Sequence, residues 1–493
     1  MAARRSNYNS NWKKPAPPAK TGRVERVWSV FQQKIFDWIE VNAKKTNTHL
    51  VVIARAGSGK TTTIVESLYH VPKGLNVVFC AFNKKIAEEL STRSPEGVDV
   101  MTLHSMGFRA LRKVFPQAKP DTNKSMDIAK NLLGDEPEKR DDLFALVKTV
   151  AFAKGCLAST KEEIDAILDG QGIEFTYDRS AFIDYVLRAL KLHREQTNII
   201  DFDDMIWFPI IYNMRLSFYD WVFLDECQDL NKAQIELAKR AVKSNGHIVS
   251  VGDNRQAIYQ FRGADERAVQ NIIDSLNADT LPLSVTYRCG KRIVELAQSI
   301  VPDFEAGDNN IDGNIMEASE KALISMARPG DFVLSRSNAP LIGHCLSFIK
   351  AGIPANIQGR DMGSNLIYFI KKSGTKTVMD LMEYVVDWRS KEMERLSKIN
   401  RPTEAIDDKA ECVLTLCDGA KEIKDVIKNI ENLFADDDDS KKVIFSTTHK
   451  AKGLERDRVF VISRTYKPGK NEAESNLYYV AITRAKSELF LLK

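Results

Sequence analysis

LVVIARAGSGKTTT, Leu50 to Thr63, is the stretch that decides the fold. It opens with Leu50-Val51-Val52-Ile53, a short apolar run rich in β-branched residues, which reads as a strand buried in a parallel sheet. The chain then turns through Ala54-Arg55-Ala56-Gly57-Ser58-Gly59-Lys60-Thr61 into a segment that can be helical. A strand, a glycine loop and a helix start are the context of a phosphate-binding loop. Gly57 and Gly59 let the backbone approach a polyphosphate with its N–H groups turned inward as donors. Lys60 adds a point charge for the β- and γ-phosphates, and the Thr61 hydroxyl reaches Mg2+. Ala56, Gly57, Ser58, Gly59, Lys60, Thr61 and Thr62 are therefore the candidate contacts to a nucleoside triphosphate. In one departure from the general motif, Ala54 stands where its first glycine falls.

Outward from this loop, apolar strand-like runs alternate with helical patterns. Asn76–Phe82 and Val98–Leu103 read as further strands, with a helix starting near Lys84. Trp221–Leu224 and His247–Val251 resume the pattern after a helical stretch from Phe108 to about Asn198. A second α/β region follows, with candidate strands Leu281–Val285, Asp331–Ser335, Val443–Ser446, Arg458–Ile462 and Glu488–Leu492. A helical stretch from about Asn365 to Phe434 interrupts it and ends at the acidic run Asp436–Asp439, read as a solvated linker. The expected class is α/β: two doubly wound domains with parallel sheets, each interrupted by a mainly helical insertion. Ligands then belong at the carboxyl ends of the strands.

Composition sets the bounds. The chain has 493 residues, 43% hydrophobic and 28% charged, enough for two or more domains with sizeable cores. No run approaches ~18 apolar residues, so no membrane helix is expected. The N-terminus lacks the apolar core of a secretory signal. The seven cysteines form no CxxC pair and read as reduced core residues of a cytoplasmic or nuclear protein. Met1–Val24 has no acidic residue and reads as a disordered basic arm. A net charge of +4 is mild, so a nucleic-acid partner requires basic residues gathered in a groove.

Other constellations fit triphosphate chemistry. Asp225-Glu226 follows the apolar run Trp221–Leu224. At a strand end, Asp225 suits a metal ion and Glu226 suits orienting or deprotonating water. Gln256, in GDNRQ after another strand, can bridge the γ-phosphate to the rest of the protein. Tyr259, Phe261 and Arg262 come just after it, and aromatics beside arginine suit stacking on bases. Arg288 and Arg484, in the second half, are candidate arginine fingers for a nucleotide held between domains.

Taken together and in order, these blocks resemble the UvrD/Rep/PcrA family of superfamily 1A DNA helicases. AxAGSGKT is similar to its motif I, including the alanine at 54, and FNKKIAEEL (82–90) and TLHSMG (102–107) to motifs Ia and Ib. DFDDM (201–205) resembles the block before Walker B, LDECQD (224–229) motif II, and VGDNRQAIYQFRGA (251–264) motif III. VTYR (285–288), THKAKGLE (448–455) and LYYVAITRAKSEL (477–489) resemble motifs IV, V and VI. The resemblance implies RecA-like domain 1A at 25–108 and 200–275, insertion 1B at 109–199, domain 2A at 276–360 and 441–493, and a short insertion 2B at 361–440. The short 2B is closer to compact viral or F-box-type relatives.

The resemblance also implies roles. Gln32 reads adenine, with Gln33 the alternative register, and Tyr287 stacks on the base. Lys60, Thr61, Asp225, Glu226, Gln256, Arg288, Glu455 and Arg484 surround the phosphates and Mg2+. His104, Ser105, Tyr259, Phe261, Arg262, Thr447 and His449 lie along single-stranded DNA. Phe261 stands where better-known members have tryptophan, Phe82 is one place from its usual position, and Arg456 replaces an aromatic after GLE. The implied activity is ATP- and Mg2+-dependent 3′→5′ translocation on single-stranded DNA, with unwinding at junctions with duplex. Replication, repair and recombination, with protein partners from those processes, are the settings the family suggests. A translocase that strips proteins from DNA, and an ATP-regulated DNA-binding protein, are the alternatives.

Overall fold

The computed structural model describes residues 26–258, 267–398, 403–434 and 441–493. The basic arm, the acidic run at 436–439, and Tyr259, Phe261 and Arg262 lie outside them.

Two six-stranded sheets organise the chain, and every recorded pairing within them is parallel. The first sheet contains β1 (His49–Ala54), β2 (Val77–Cys80), β3 (Val98–Met101), β4 (Tyr219–Leu224), β5 (Val242–Gly252) and β6 (Asp279–Leu283), in the order β3-β2-β4-β5-β1-β6. The second contains β7 (Asn314–Ala318), β8 (Phe332–Ser335), β9 (Ala355–Ile357), β10 (Val443–Thr447), β11 (Arg456–Ile462) and β12 (Ala485–Leu492), in the order β7-β12-β11-β8-β10-β9. Central strands such as β2, β8 and β10 are buried along their whole length. That is why they read as unbroken apolar runs rather than alternating ones. The architecture is that of two RecA-like domains.

One strand moves between sheets. Leu281–Val285 is expected in the second α/β region, yet Asp279–Leu283 pairs with β1 from Leu50↔Asp279 to Ala54↔Leu283. The first sheet therefore extends past the boundary expected at 275/276. This strand holds Pro282, which a ladder tolerates at an edge. β7 and β9 have no counterpart among the expected strands. Both are edges, one partly exposed and one three residues long, so neither leaves a strong apolar run.

The insertions are helical as expected, with helices Lys124–Leu133, Arg140–Cys156, Lys161–Gln171 and Arg179–Glu195 in the first. The second contains Arg360–Ser373, Val378–Lys398, Glu404–Cys417 and Ile423–Leu433. The DFDDM block fastens the first insertion to its sheet. Asp204 and Asp201 meet Lys154 at 2.8 Å each, and Asp204 meets Lys124 at 2.7 Å. His193 packs against Lys154, and all five groups are buried. No single helix among the described residues is long and apolar enough to cross a membrane.

Candidate functional site

β1 delivers the loop to the carboxyl edge of the first sheet. Gly57 and Gly59 have φ of +69° and +78°, a region costly for residues with a Cβ. At Gly57 space is short as well: a Cβ there would lie 2.5 Å from Arg288 Cβ and 2.6 Å from Thr286 Oγ1. The second domain thus approaches the loop through this glycine. Helix Lys60–Ser67 begins at Gly59 with no side-chain cap on its first-turn N–H groups. The buried Ser58 hydroxyl has no hydrogen-bond partner within the protein. An uncapped helix N-terminus, an orphaned hydroxyl and a lysine suit a bound polyphosphate.

Lys60 Nζ sits 2.8 Å from Glu226 Oε2. Burial alone would pull the ammonium down, but Glu226, Asp253 and Asp225 together hold its pKa above the usual lysine value. Burial would raise Glu226, yet Lys60 and then Lys452 hold it low. Asp225, buried beside Glu226, is pushed up by burial first and by that neighbour second. An additional cation relieves this carboxyl, so Asp225 fits Mg2+, and Thr61 lines the same cleft. Glu226 adopts φ +49°, a left-handed conformation rare outside glycine and typical of strained functional positions.

A relay leads from Glu226 to Gln256. Gln228 Nε2 donates to Glu226, Gln228 Oε1 accepts from the Asp253 N–H at 3.0 Å, and Asp253 accepts from Gln256 Nε2 at 2.7 Å. The second domain supplies the opposite wall. Arg288 pairs with Glu455, which also holds Lys486 at 3.1 Å. Arg484 is only 1% exposed and donates to the carbonyls of Val480 and Leu454 at 2.9 and 3.1 Å. Burial, and then the charge of Arg288, pushes its pKa down to about 10. A cleft of about 570 Å³ is lined by Gly57, Lys60, Asp225, Glu226, Gln256, Arg288 and Arg484, among others.

Not every expected contact faces this cleft. Ala56 donates its N–H to Tyr479 Oη at 3.0 Å, so that donor is already engaged. Glu455 holds Arg288 and is not among the residues lining the cleft. Gln32 is buried and donates to Thr63 Oγ1 at 2.9 Å, while its oxygen caps Ser29 at 3.0 Å. Gln33 is exposed and bonded to Asp37, so the register favours Gln32. Tyr287 is half exposed, with its N–H on the Gly57 carbonyl at 2.9 Å.

The expected nucleic-acid residues that are described, His104, Ser105, Thr447 and His449, fall at strand ends of both sheets. His104 and Ser105 open helix Leu103–Val114 just past β3. Thr447 ends β10, and His449 lies in the short helix after it.

Comparisons with known proteins identify the family. Residues 38–277 match the UvrD/REP helicase N-terminal domain and residues 336–493 the UvrD-like helicase C-terminal domain. The chain belongs to the UvrD/Rep helicase family. The ATP-dependent DNA helicase PcrA of Bacillus subtilis is 28% identical over 292 residues, 52% of this chain and 38% of that protein. The ATP-dependent DNA helicase Rep of Buchnera aphidicola is 26% identical over 296 residues, 52% of this chain and 42% of that protein. The chain thus spans well under half the length of these curated relatives.

Within this UvrD-like chain, sequence reasoning passed over several residues that structure brings to the site. Lys452, inside the THKAKGLE block, meets Asp229 at 2.7 Å and the Gln256 carbonyl at 2.8 Å across the domain boundary. Phe202, inside DFDDM, is 59% exposed with His104 edge-on to it at 6.2 Å. An aromatic set directly between aspartates was the available signal. Arg55 and Tyr479 carried none, because their partners are distant in sequence.

Proposed function

We propose that this chain is an ATP-dependent DNA helicase that requires Mg2+, moves 3′→5′ along single-stranded DNA and opens duplex at junctions. The observation that carries this reading is the convergence of Lys60 and Glu226 from the first domain with Arg288 and Arg484 from the second on one cleft. Such a cleft is complete only when two bodies close on it, so hydrolysis and domain movement are linked by construction.

Lys60, the loop N–H groups and Ser58 bind the triphosphate. Thr61 and Asp225 would hold Mg2+, which would supply neutralising charge to the phosphates. Phosphate competes with Glu226 for Lys60, and Glu226, once released, orients the attacking water. Arg288 and Arg484 stabilise the charge that develops as the phosphoryl group transfers. Gln256 passes the state of the γ-phosphate through Asp253 to Gln228. Tyr287 holds the base, and Gln32 reads its edge by giving up the bond to Thr63. Phe202 with His104, Ser105, Thr447 and His449 forms the path of the strand, to which the family resemblance adds roles for Tyr259, Phe261 and Arg262. Stacking is worth roughly 1–3 kcal/mol per base and tolerates any sequence, so little sequence preference is expected.

Polarity rests on the family resemblance, and the likeness to the DNA helicases PcrA and Rep supports the DNA helicase activity. Strand displacement from 3′-tailed and 5′-tailed duplexes is the test. Displacement from the 3′ tail alone is expected. Displacement from the 5′ tail alone reverses the polarity, and none from either points to stripping of bound proteins.

A further inference from the structure

Three consecutive residues of the phosphate loop are tied to the second domain. Arg55 reaches it with its side chain, Ala56 donates its N–H to Tyr479 Oη, and the Gly57 carbonyl accepts from Tyr287. Arg55 is nearly buried and is not among the residues lining the cleft. One edge of its guanidinium engages Asp303, with Nε 3.1 Å from both carboxylate oxygens and Nη2 2.8 Å from Oδ2. The other edge meets Asn254 at 2.7 Å and Asp253 at 3.3 Å, both in the first domain. Asp303 belongs to the body of the second domain. The adjoining Phe304 is fully buried and packs edge-on against Tyr479, with ring centroids 5.6 Å apart.

Asp253 makes the arrangement consequential. It accepts from Gln256 at 2.7 Å, its N–H is held by Gln228, and Tyr479 Oη lies 3.5 Å from its second oxygen. A shift of Asp303 relative to the first sheet therefore pulls on Arg55 and reaches both the loop backbone and Gln256. A lysine could not do this, because it lacks two planar edges that engage separate carboxylates at once.

We propose that Arg55 is a positioning residue for hydrolysis, a two-edged pin that sets the phosphate loop and Gln256 according to where the second domain stands. This rests on the reading of the cleft as an ATPase. Arg55 does not line the cleft, so its loss affects turnover and leaves nucleotide binding alone.

Asp303→Asn is the clean probe, because the Asp303 side chain is 50% exposed and does not line the cleft. Phosphate release is measured with saturating single-stranded DNA, together with the thermal midpoint. A fall in kcat of about ten-fold is expected, with KM for ATP within about two-fold and the midpoint unchanged. Arg55→Lys should lose about as much, and the double variant no more than either single one, since both break the same link. Asp303→Glu should recover most of the rate. A native-like kcat in Asp303→Asn, a loss confined to KM, or additive losses in the double variant would overturn the proposal. If the native chain shows no DNA-stimulated hydrolysis while folded, the ATPase reading falls and the pin with it. If the native chain hydrolyses and Asp303→Asn matches it, the pin alone falls.

Discussion

Both parallel sheets contain the same step, a strand that turns into a helix, and the two copies treat the helix N-terminus in opposite ways. In the first domain β1 ends in Ala54–Gly59, and helix Lys60–Ser67 starts without a side-chain cap. In the second, β8 passes through Arg336–Asn338 into helix Ala339–Lys350. There Asp408, from the second insertion, accepts from the Asn338 N–H at 2.9 Å, the Ala339 N–H at 2.8 Å and the Asn338 side-chain amide at 2.9 Å. The donors that would meet a phosphate already hold a carboxylate of the chain itself. Fold repetition alone thus does not repeat the site. The first domain keeps its helix end open for an external anion, and the second contributes arginines to the same cleft.

The largest expected effect tests that division of labour. Arg288→Ala should lower kcat for DNA-stimulated hydrolysis by about 10³-fold with KM nearly native, because the charge it offers is needed as the phosphoryl group leaves. Arg288 is the better choice for this test than Arg484, whose bonds to Val480 and Leu454 also support the fold. Stopped-flow phosphate release checks it. A change in KM alone would return Arg288 to a binding role. Next comes Lys60→Ala, expected to cost about 10²-fold in kcat and to weaken nucleotide binding as well, since a point charge on the phosphates serves both states. Unchanged hydrolysis in that variant would break the comparison at its root.

A smaller effect is expected on the other side. Asp408→Ala uncaps helix Ala339–Lys350 and should lower stability by about 1–2 kcal/mol in urea denaturation. Hydrolysis should stay near the native rate, because that helix end serves the fold. A lower kcat at unchanged stability would mean that the second domain uses its helix terminus catalytically.

How much of this was legible in the sequence differs between the domains for a physical reason. The phosphate loop, Asp225-Glu226 and Gln256 are local: strand, turn and functional side chain lie within a few residues, so the pattern is written contiguously. Strands buried on both faces announce themselves as apolar runs, and β2, β4, β8 and β10 were all anticipated within a few residues at each end. The edge strands β7 and β9 were not, and Asp279–Leu283 was assigned to the wrong sheet, since a parallel partner is fixed by topology rather than by adjacent residues. Bonds across the domain boundary left no trace. Arg55 meets Asp303 and Lys452 meets Asp229 over more than two hundred residues of chain, and a lone charge does not name its partner. Asp408 is the same case within one half of the protein.

The smallest expected effect concerns acid, and it too separates the domains. His49 opens β1 and its Nδ1 accepts from the Ile248 N–H at 3.0 Å on the neighbouring β5. Burial, then the charges of His247 and Lys239, pushes its pKa down to about 4. His104, His193 and His247 are also pushed down, in each case mainly by burial, and all four lie in the first domain or its insertion. With a folded pKa below the ordinary 6.5, the unfolded chain binds more protons as pH falls, so stability is intact above about 6.5 and is lost progressively toward 4. Asp203, raised to about 6 by burial, and Asp225 work the other way and trim the loss. Hydrogen exchange at pH 7.5 and pH 5, corrected for intrinsic rates, should therefore show β1 and β5 losing protection while β10 and β11 keep theirs. His49→Gln keeps an acceptor that does not titrate and should narrow the gap. An equal loss in both sheets would mean that acid acts on the chain as one cooperative unit, with the two domains no longer separable in stability.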